Sequence, residues 1–397
     1  MFRRLGQQVF EPRCTGRHNR AEWTQQEKSW EKIMSTKTVL IAGASGLVGF
    51  AAMQRFAAEP GTRVIAVSRR RPLDTFGAEW IEADLTDAAA CAALFSTMGD
   101  VTHLVFAALY EKPGLMAGWR EADQIELNGR MLRNLFEPLR KVATGLKHVT
   151  LLQGTKAYGA HVHQIDVPAR PGRSEDHATA NFYWVQETYL RGLAADAAWD
   201  VTVLRPQIIF GMSIGAAMNL IPAIGVYGAL LKAEGKPLSF PGGAPMVLEA
   251  CDAELLADVI VWAGECEAAR GKAYNVTNGD VFVWQNVWPA IAKALGMEVG
   301  PPEPKSLGSA MPAKASAWDS IRKAHDLTSP GIGAFVGESF HYADFTMAYG
   351  MTEASTLPPI VSTIGLRQDG FHRVIDTEEM FVKFFRQFQD RDLLPKP

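Results

Sequence analysis

The sequence predicts an α/β fold: a doubly wound parallel sheet completed by a mainly helical C-terminal region. Three observations predict it. Short β-branched runs alternate with amphipathic stretches through the first half, the pattern of β-α-β units. A glycine-rich turn, Gly43 to Gly49, separates the first buried run from the first amphipathic stretch. Beyond Glu249 the periodicity is mostly helical, with one further strand-like run.

Taken in order, residues 39–43 form a buried strand and 47–59 a helix by apolar spacing. Residues 62–68 are a second strand, and a short third lies around Ala78–Ile81. A helix at 88–98 precedes the fourth strand, 102–108. A long helix over Ile125–Val142 leads to the fifth strand, 148–154, and a helix at 181–195 to the next, 201–205. Then follow a helix at 253–269, a strand at 273–277 and a helix at 284–296. The Pro- and Gly-rich stretch 297–313 reads as a long surface connection, and 378–389 as a closing amphipathic helix. No internal repeat is visible.

Composition narrows the function classes. The chain has 397 residues, 47% hydrophobic and 21% charged, enough to bury a sizeable core and unlike a disordered segment. A formal net charge of −3 leaves no basic surplus to neutralise nucleic-acid phosphates. Cys14, Cys91, Cys251 and Cys266 lie far apart without Cys-x-x-Cys spacing. Neither a metal site nor a disulfide framework is expected, and a reducing cytoplasm is the simplest location. Residues 1–34 carry Arg3, Arg4, Arg13, Arg17 and Arg20, but also Glu11, Glu22, Glu27 and Glu31, which transit peptides avoid. They read as a disordered extension ahead of Met34. From Pro206 to Leu231 the chain has no charge and is long enough to span a bilayer. Gln207, Ser213, Asn219, Pro222 and the glycines there mark it instead as a buried loop and helix lining a pocket, not a membrane span.

The turn Gly43-Ala44-Ser45-Gly46-Leu47-Val48-Gly49 stands between strand and helix, where backbone approaches a pyrophosphate and the helix N-terminus stabilises its charge. This placement makes the core a Rossmann-type nucleotide fold. At the end of the second strand, NAD readers place an acid that accepts from the ribose 2′-hydroxyl. Here stand Ser68-Arg69-Arg70-Arg71, a hydroxyl and guanidinium forks suited to a 2′-phosphate, so the expected cofactor is NADPH. Asp84 and Leu85 fall where an adenine ring is flanked. The nucleotide-binding core is assigned to 36–213 plus 246–282, and a substrate-covering region to 214–245 plus 283–397. Such a fold accommodates a homodimer, and no sequence feature specifies one.

Ordinary short-chain dehydrogenases carry a helix-borne Tyr-x-x-x-Lys. This chain has Tyr183-Trp184-Val185-Gln186-Glu187, with glutamate in the lysine place, and a lysine elsewhere, in Gln153-Gly154-Thr155-Lys156-Ala157-Tyr158-Gly159. Together with the glycine turn, Ser68-Arg69-Arg70, Asn181-Phe182-Tyr183, Arg205-Pro206, Ile209-Phe210-Gly211 and Met218-Asn219, this resembles the progesterone 5β-reductase / iridoid synthase family of enone reductases. Asn275, Asn278-Gly279-Asp280 and Trp284 add to the resemblance, and the stretch from Ser362 to Gly370-Phe371 agrees more loosely; the match spans about 36–390.

The resemblance implies that Tyr183 and Lys156 are the catalytic pair in hydride transfer from NADPH to the β-carbon of a small α,β-unsaturated carbonyl compound. The phenol would hydrogen-bond the carbonyl oxygen, an ammonium would stabilise the growing enolate, and solvent would supply its proton. Whether Lys156 acts on that oxygen or through Tyr183 stays open. The resemblance also places Leu85, Gln153, Pro206 and Ile209 around the cofactor, and Ala216, Ala217 and Met218 near its phosphates or the substrate. Tyr158 is either a pocket residue or a structural one. Glu187 reads as a solvated or capping carboxylate. Where family members often show an aromatic facing the substrate, this chain has Ala107-Ala108-Leu109, so the pocket wall at Leu109 should differ. Two rival readings remain: an extended short-chain carbonyl reductase, dehydrogenase or epimerase acting on C=O, and a non-catalytic NADP sensor.

Overall fold

The computed structural model describes residues 37–115, 117–354 and 357–397; the extension read at 1–34 and Cys14 lie outside them. Seven parallel strands form one sheet in the order β3-β2-β1-β4-β5-β6-β9. They are β1 (Lys37–Ala42), β2 (Thr62–Ser68), β3 (Glu79–Glu82), β4 (His103–Phe106), β5 (His148–Leu152), β6 (Asp200–Pro206) and, after a separate pair, β9 (Ala273–Val276). The order reverses beside β1, which pairs with β2 on one edge and β4 on the other. That reversal opens a crevice at the carboxyl ends of the strands.

Period-two alternation sorts the strand residues onto two faces. Val39, Ile41, Val64, Ala66 and Val105 pack with α1 (Leu47–Ala57). Leu40, Ala42, Ile65, Val67, Leu104 and Phe106 pack with α2 (Ala88–Phe95), α3 (Ala122–Val142) and α4 (Phe182–Ala194). Both faces are buried, so the strands read as near-continuous apolar runs.

After β6 the chain leaves the sheet. β7 (Ile208–Phe210) pairs in parallel with β8 (Ala250–Asp252), and between them lies α5 (Leu220–Ala233). Residues 220–231 of α5 are all buried, which accounts for the uncharged run; among the described residues no helix is long and apolar enough to cross a membrane. Asp252 caps α6 (Ala253–Glu265) through the amides of Glu254 and Leu255 and pairs with Lys383 at 2.5 Å. The remainder is helical: α7 (Trp284–Ala294), α8 (Ala315–Ala324), α9 (Ser339–Thr346) and α10 (Thr377–Asp390). The β7–β8 pair, α8 and α9 were not legible as periodic runs. The connection read at 297–313 contains a helical turn, Leu307–Ala310, with Leu307 buried.

An aromatic knot fastens this region to the core. Phe381 of α10 stacks edge-on against Phe210 of β7 at 4.8 Å and packs on Trp284 of α7 at 5.5 Å between ring centres. The Trp284 indole donates to the carbonyl of Thr346, bringing in α9. Phe381→Ala should lower unfolding free energy by roughly 3–5 kcal/mol, read by urea denaturation with tryptophan fluorescence.

Candidate active site

A cavity of about 1710 Å³ opens at the carboxyl ends of β1, β2, β4 and β5. It exceeds the ~300–1,000 Å³ of ordinary single-ligand pockets, as a site for a dinucleotide plus a second molecule would. One end is the glycine turn. Gly43 adopts φ +87°, and a Cβ there would sit 2.7 Å from the Ala107 carbonyl carbon. The Gly43 and Ala44 amides both donate to Val67 O, which bends the chain so that Ser45, Gly46, Leu47 and Val48 line the cavity at the start of α1. Gly49 does not line it: it is buried in α1 against the Gly43 carbonyl, where a Cβ would collide, so it serves close packing of the turn.

Arg69 and Arg70 line the same end. Ser68 does too, but its hydroxyl proton is committed to the Arg70 carbonyl at 2.7 Å, and its oxygen accepts from Trp80 at 3.1 Å. The hydroxyl shapes the arginine turn, and the donors left for a phosphate are the guanidiniums. Asp84 and Leu85 line the cavity; hydrogen bonds from Thr86, the backbone amide foremost, hold the Asp84 pKa below its ordinary value. Gln153, Pro206, Ile209, Ala216, Ala217 and Met218 all reach the cavity as well.

Tyr183 and Lys156 converge at its middle. Asn181, the N-cap of α4, accepts from the Tyr183 amide at 3.1 Å and donates to the Lys156 carbonyl at 3.3 Å, so one side chain spaces both. The Lys156 Nζ lies 5.8 Å from the centre of the Tyr183 ring, 5.6 Å from that of Phe182 and 4.3 Å from that of Trp119, a cation–π setting. Burial raises the Tyr183 pKa, and the charge of Glu111 raises it further, so the phenol stays a neutral donor. Burial lowers the Lys156 pKa and Glu111 opposes that. Leu109 packs beside Phe182 and Tyr183 on the cavity wall, where it was expected.

Two further expectations are corrected. Tyr158 does not line the cavity: it is 1% exposed and donates to Asn275 at 2.6 Å. Residues 155–158 form a 3₁₀ turn, and at three residues per turn a side chain two positions past Lys156 points elsewhere. Glu187 is neither solvated nor a cap. It accepts from Gln153 at 2.9 Å, from Arg191 at 2.7 Å and from the buried Arg205 at 3.3 Å. Arg205 reaches Glu175 at 2.7 Å and Gln153 at 2.8 Å as well.

Sequence reasoning missed Glu111, Trp119, His161 and Tyr342, all on the wall. For Glu111 the one available signal was its place just beyond the carboxyl end of a core strand. The outer rim carries Phe345, Tyr349, Met351 and Leu357, each more than a third exposed.

The sequence profile of the NAD dependent epimerase/dehydratase family matches residues 39–277. The chain belongs to that family. It is 33% identical over 307 residues to the 3-oxo-Delta(4,5)-steroid 5-beta-reductase of Arabidopsis thaliana, covering 72% of this chain and 77% of that one. It is 28% identical over 378 residues to the (S)-8-oxocitronellyl enol synthase of Antirrhinum majus, covering 90% and 92%. The resemblance to the progesterone 5β-reductase / iridoid synthase group therefore extends over most of the chain. Among solved structures, UDP-glucose 4-epimerase from Bifidobacterium longum superposes with a TM-score of 0.62 at 15% identity, covering 90% of this chain and 99% of that one. This likeness is one of fold.

Two substitutions test the site's construction. Gly43→Ala should weaken nicotinamide dinucleotide binding roughly 100-fold, about 2.7 kcal/mol, in a fluorescence titration. Glu187→Lys, which would recreate the ordinary dehydrogenase pattern, should instead cost roughly 3–5 kcal/mol of stability in chemical denaturation, because it leaves two buried cations facing each other.

Proposed function

We propose that the chain is an NADPH-dependent reductase of the C=C bond of α,β-unsaturated carbonyl compounds. The observation that carries this reading is the convergence of the Tyr183 phenol and the Lys156 ammonium in the cavity, with the helix position of an ordinary dehydrogenase lysine filled by a glutamate that Arg205 binds.

The cradle suits the dinucleotide. Gly43 and Gly46 leave room where a Cβ would crowd the backbone, Ser45, Leu47 and Val48 present the helix start, and Arg69 and Arg70 offer forks for a 2′-phosphate. Asp84 and Leu85 would flank the adenine, and Gln153, Pro206, Ile209, Ala216, Ala217 and Met218 would line the remainder. Bound there, NADPH supplies a hydride for the β-carbon of the acceptor.

The residues of this chain act on the oxygen. As hydride adds, negative charge moves to the carbonyl oxygen, and the neutral Tyr183 hydroxyl donates a hydrogen bond to it. Lys156, held beside the same ring, adds positive charge in a site of low dielectric. The enolate then takes its α-carbon proton from solvent. Leu109 and Met218 would border the acceptor, while Tyr342 and Phe345 of α9 shield it from water. This division favours residues 36–213 with 246–282 as the nucleotide core and 214–245 with 283–397 as the substrate cover.

The test is NADPH consumption with 2-cyclohexen-1-one, products identified by mass spectrometry. Wild type should yield cyclohexanone, with kcat reduced roughly 10²–10³-fold in Tyr183→Phe and in Lys156→Ala. An allylic alcohol as product would instead establish carbonyl reduction. NADPH binding without turnover of any enone would favour a nucleotide sensor.

A further inference from the structure

A buried ammonium is unstable without a partner, and an uncharged amine could not stabilise an enolate. The groups around Lys156 decide which form exists. Its Nζ donates to Glu111 Oε1 at 3.4 Å, and both side chains are largely buried, 12% and 4% exposed. The other Glu111 oxygen accepts from Gln124 Nε2 at 2.6 Å. Gln124, 1% exposed, is itself fixed, since its Oε1 accepts from the Lys112 amide at 3.1 Å. Gly118 leaves it room, for a Cβ there would collide with that oxygen.

The remaining groups facing Lys156 supply no negative charge. Trp119 and Phe182 offer ring faces, and Tyr183 a neutral phenol. His161 is uncharged, its pKa lowered to about 4 by burial first and by Lys156 next; Arg120 and His163 push the same way and Asp176 opposes them. Tyr342 of α9 is a half-buried phenol whose pKa is raised by desolvation, so it too is neutral. Glu187, on α4, is occupied by Arg205, Arg191 and Gln153.

We propose that Glu111, held by Gln124, is the positioning residue for Lys156: it keeps the ammonium charged and fixes it against Trp119 beside Tyr183, and so sets the alkaline limit of turnover. The link to turnover rests on the enone-reductase reading; the assignment of charge does not. A carboxylate removed from beside an ammonium lowers the pH at which the proton leaves.

The experiment has two arms. In the first, kcat and KM for 2-cyclohexen-1-one are measured against pH for wild type, Glu111→Gln, Glu111→Asp and Gln124→Ala. In Glu111→Gln the alkaline limb should move at least one pH unit lower, so that kcat falls roughly tenfold at a pH above both limbs and little below them, with KM and NADPH affinity changed less. Glu111→Asp should recover part of the shift. Gln124→Ala, which keeps the charge but frees it, should lower kcat with a smaller displacement of the limb. A loss uniform across pH in Glu111→Gln would reduce Glu111 to packing and overturn the proposal. In the second arm, Lys156 acylation by citraconic anhydride is followed by peptide mass spectrometry from pH 6 to 10. Reactivity should appear at lower pH in Glu111→Gln than in wild type; coincident curves would overturn the assignment. If wild type reduces no enone, the functional reading fails, and this second arm still decides the role of Glu111.

Discussion

The buried guanidinium of Arg205 is the constraint on which the site depends. It stands at the end of β6, 1% exposed, where an unpaired charge would be intolerable. Its partners come from three directions: Gln153 at the end of β5, Glu187 on α4 and Glu175 on the loop before that helix. Satisfying one cation therefore fixes the helix that carries Tyr183, the strand end that leads into Lys156, and the loop joining them. The Tyr158 hydroxyl, 3.4 Å from Arg205, completes the shell and ties it to Asn275 of β9.

Glu187 follows from the same arrangement. A lysine at that position would face Arg205, so the helix carries the counter-charge, and the cation beside the Tyr183 ring comes from the turn after β5. That turn is short, and the Asn181 cap holds it at hydrogen-bonding distance from the start of α4. Compared with the ordinary dehydrogenase pattern the charge on the helix is reversed, and Arg205 is the reason Glu187 cannot change alone.

Most of the sheet was legible because buried parallel strands and amphipathic helices impose different periods on the chain; residues 62–68 were read with the boundaries that β2 has. The glycine turn was legible because a positive φ and a close approach to Ala107 exclude side chains there. The partners of buried charges were not. Glu187 and Arg205 are 18 residues apart and Glu111 and Lys156 are 45, and nothing in local periodicity joins them. Tyr158 misled for a related reason: adjacency in sequence to Lys156 does not survive a tight turn. The C-terminal cover was hard to divide because its helices at 332–336, 339–346 and 364–368 are too short for a periodic signal to accumulate.

The exposed rim formed by Phe345, Tyr349, Met351 and Leu357 has a thermodynamic corollary. Oil-like surface ahead of a polar reacting centre acts as a small partition phase. Each methylene laid against it is withdrawn from water, worth about 0.8 kcal/mol, or close to fourfold in affinity. A ligand crossing this rim would gain with each apolar group it lays there, whatever its shape.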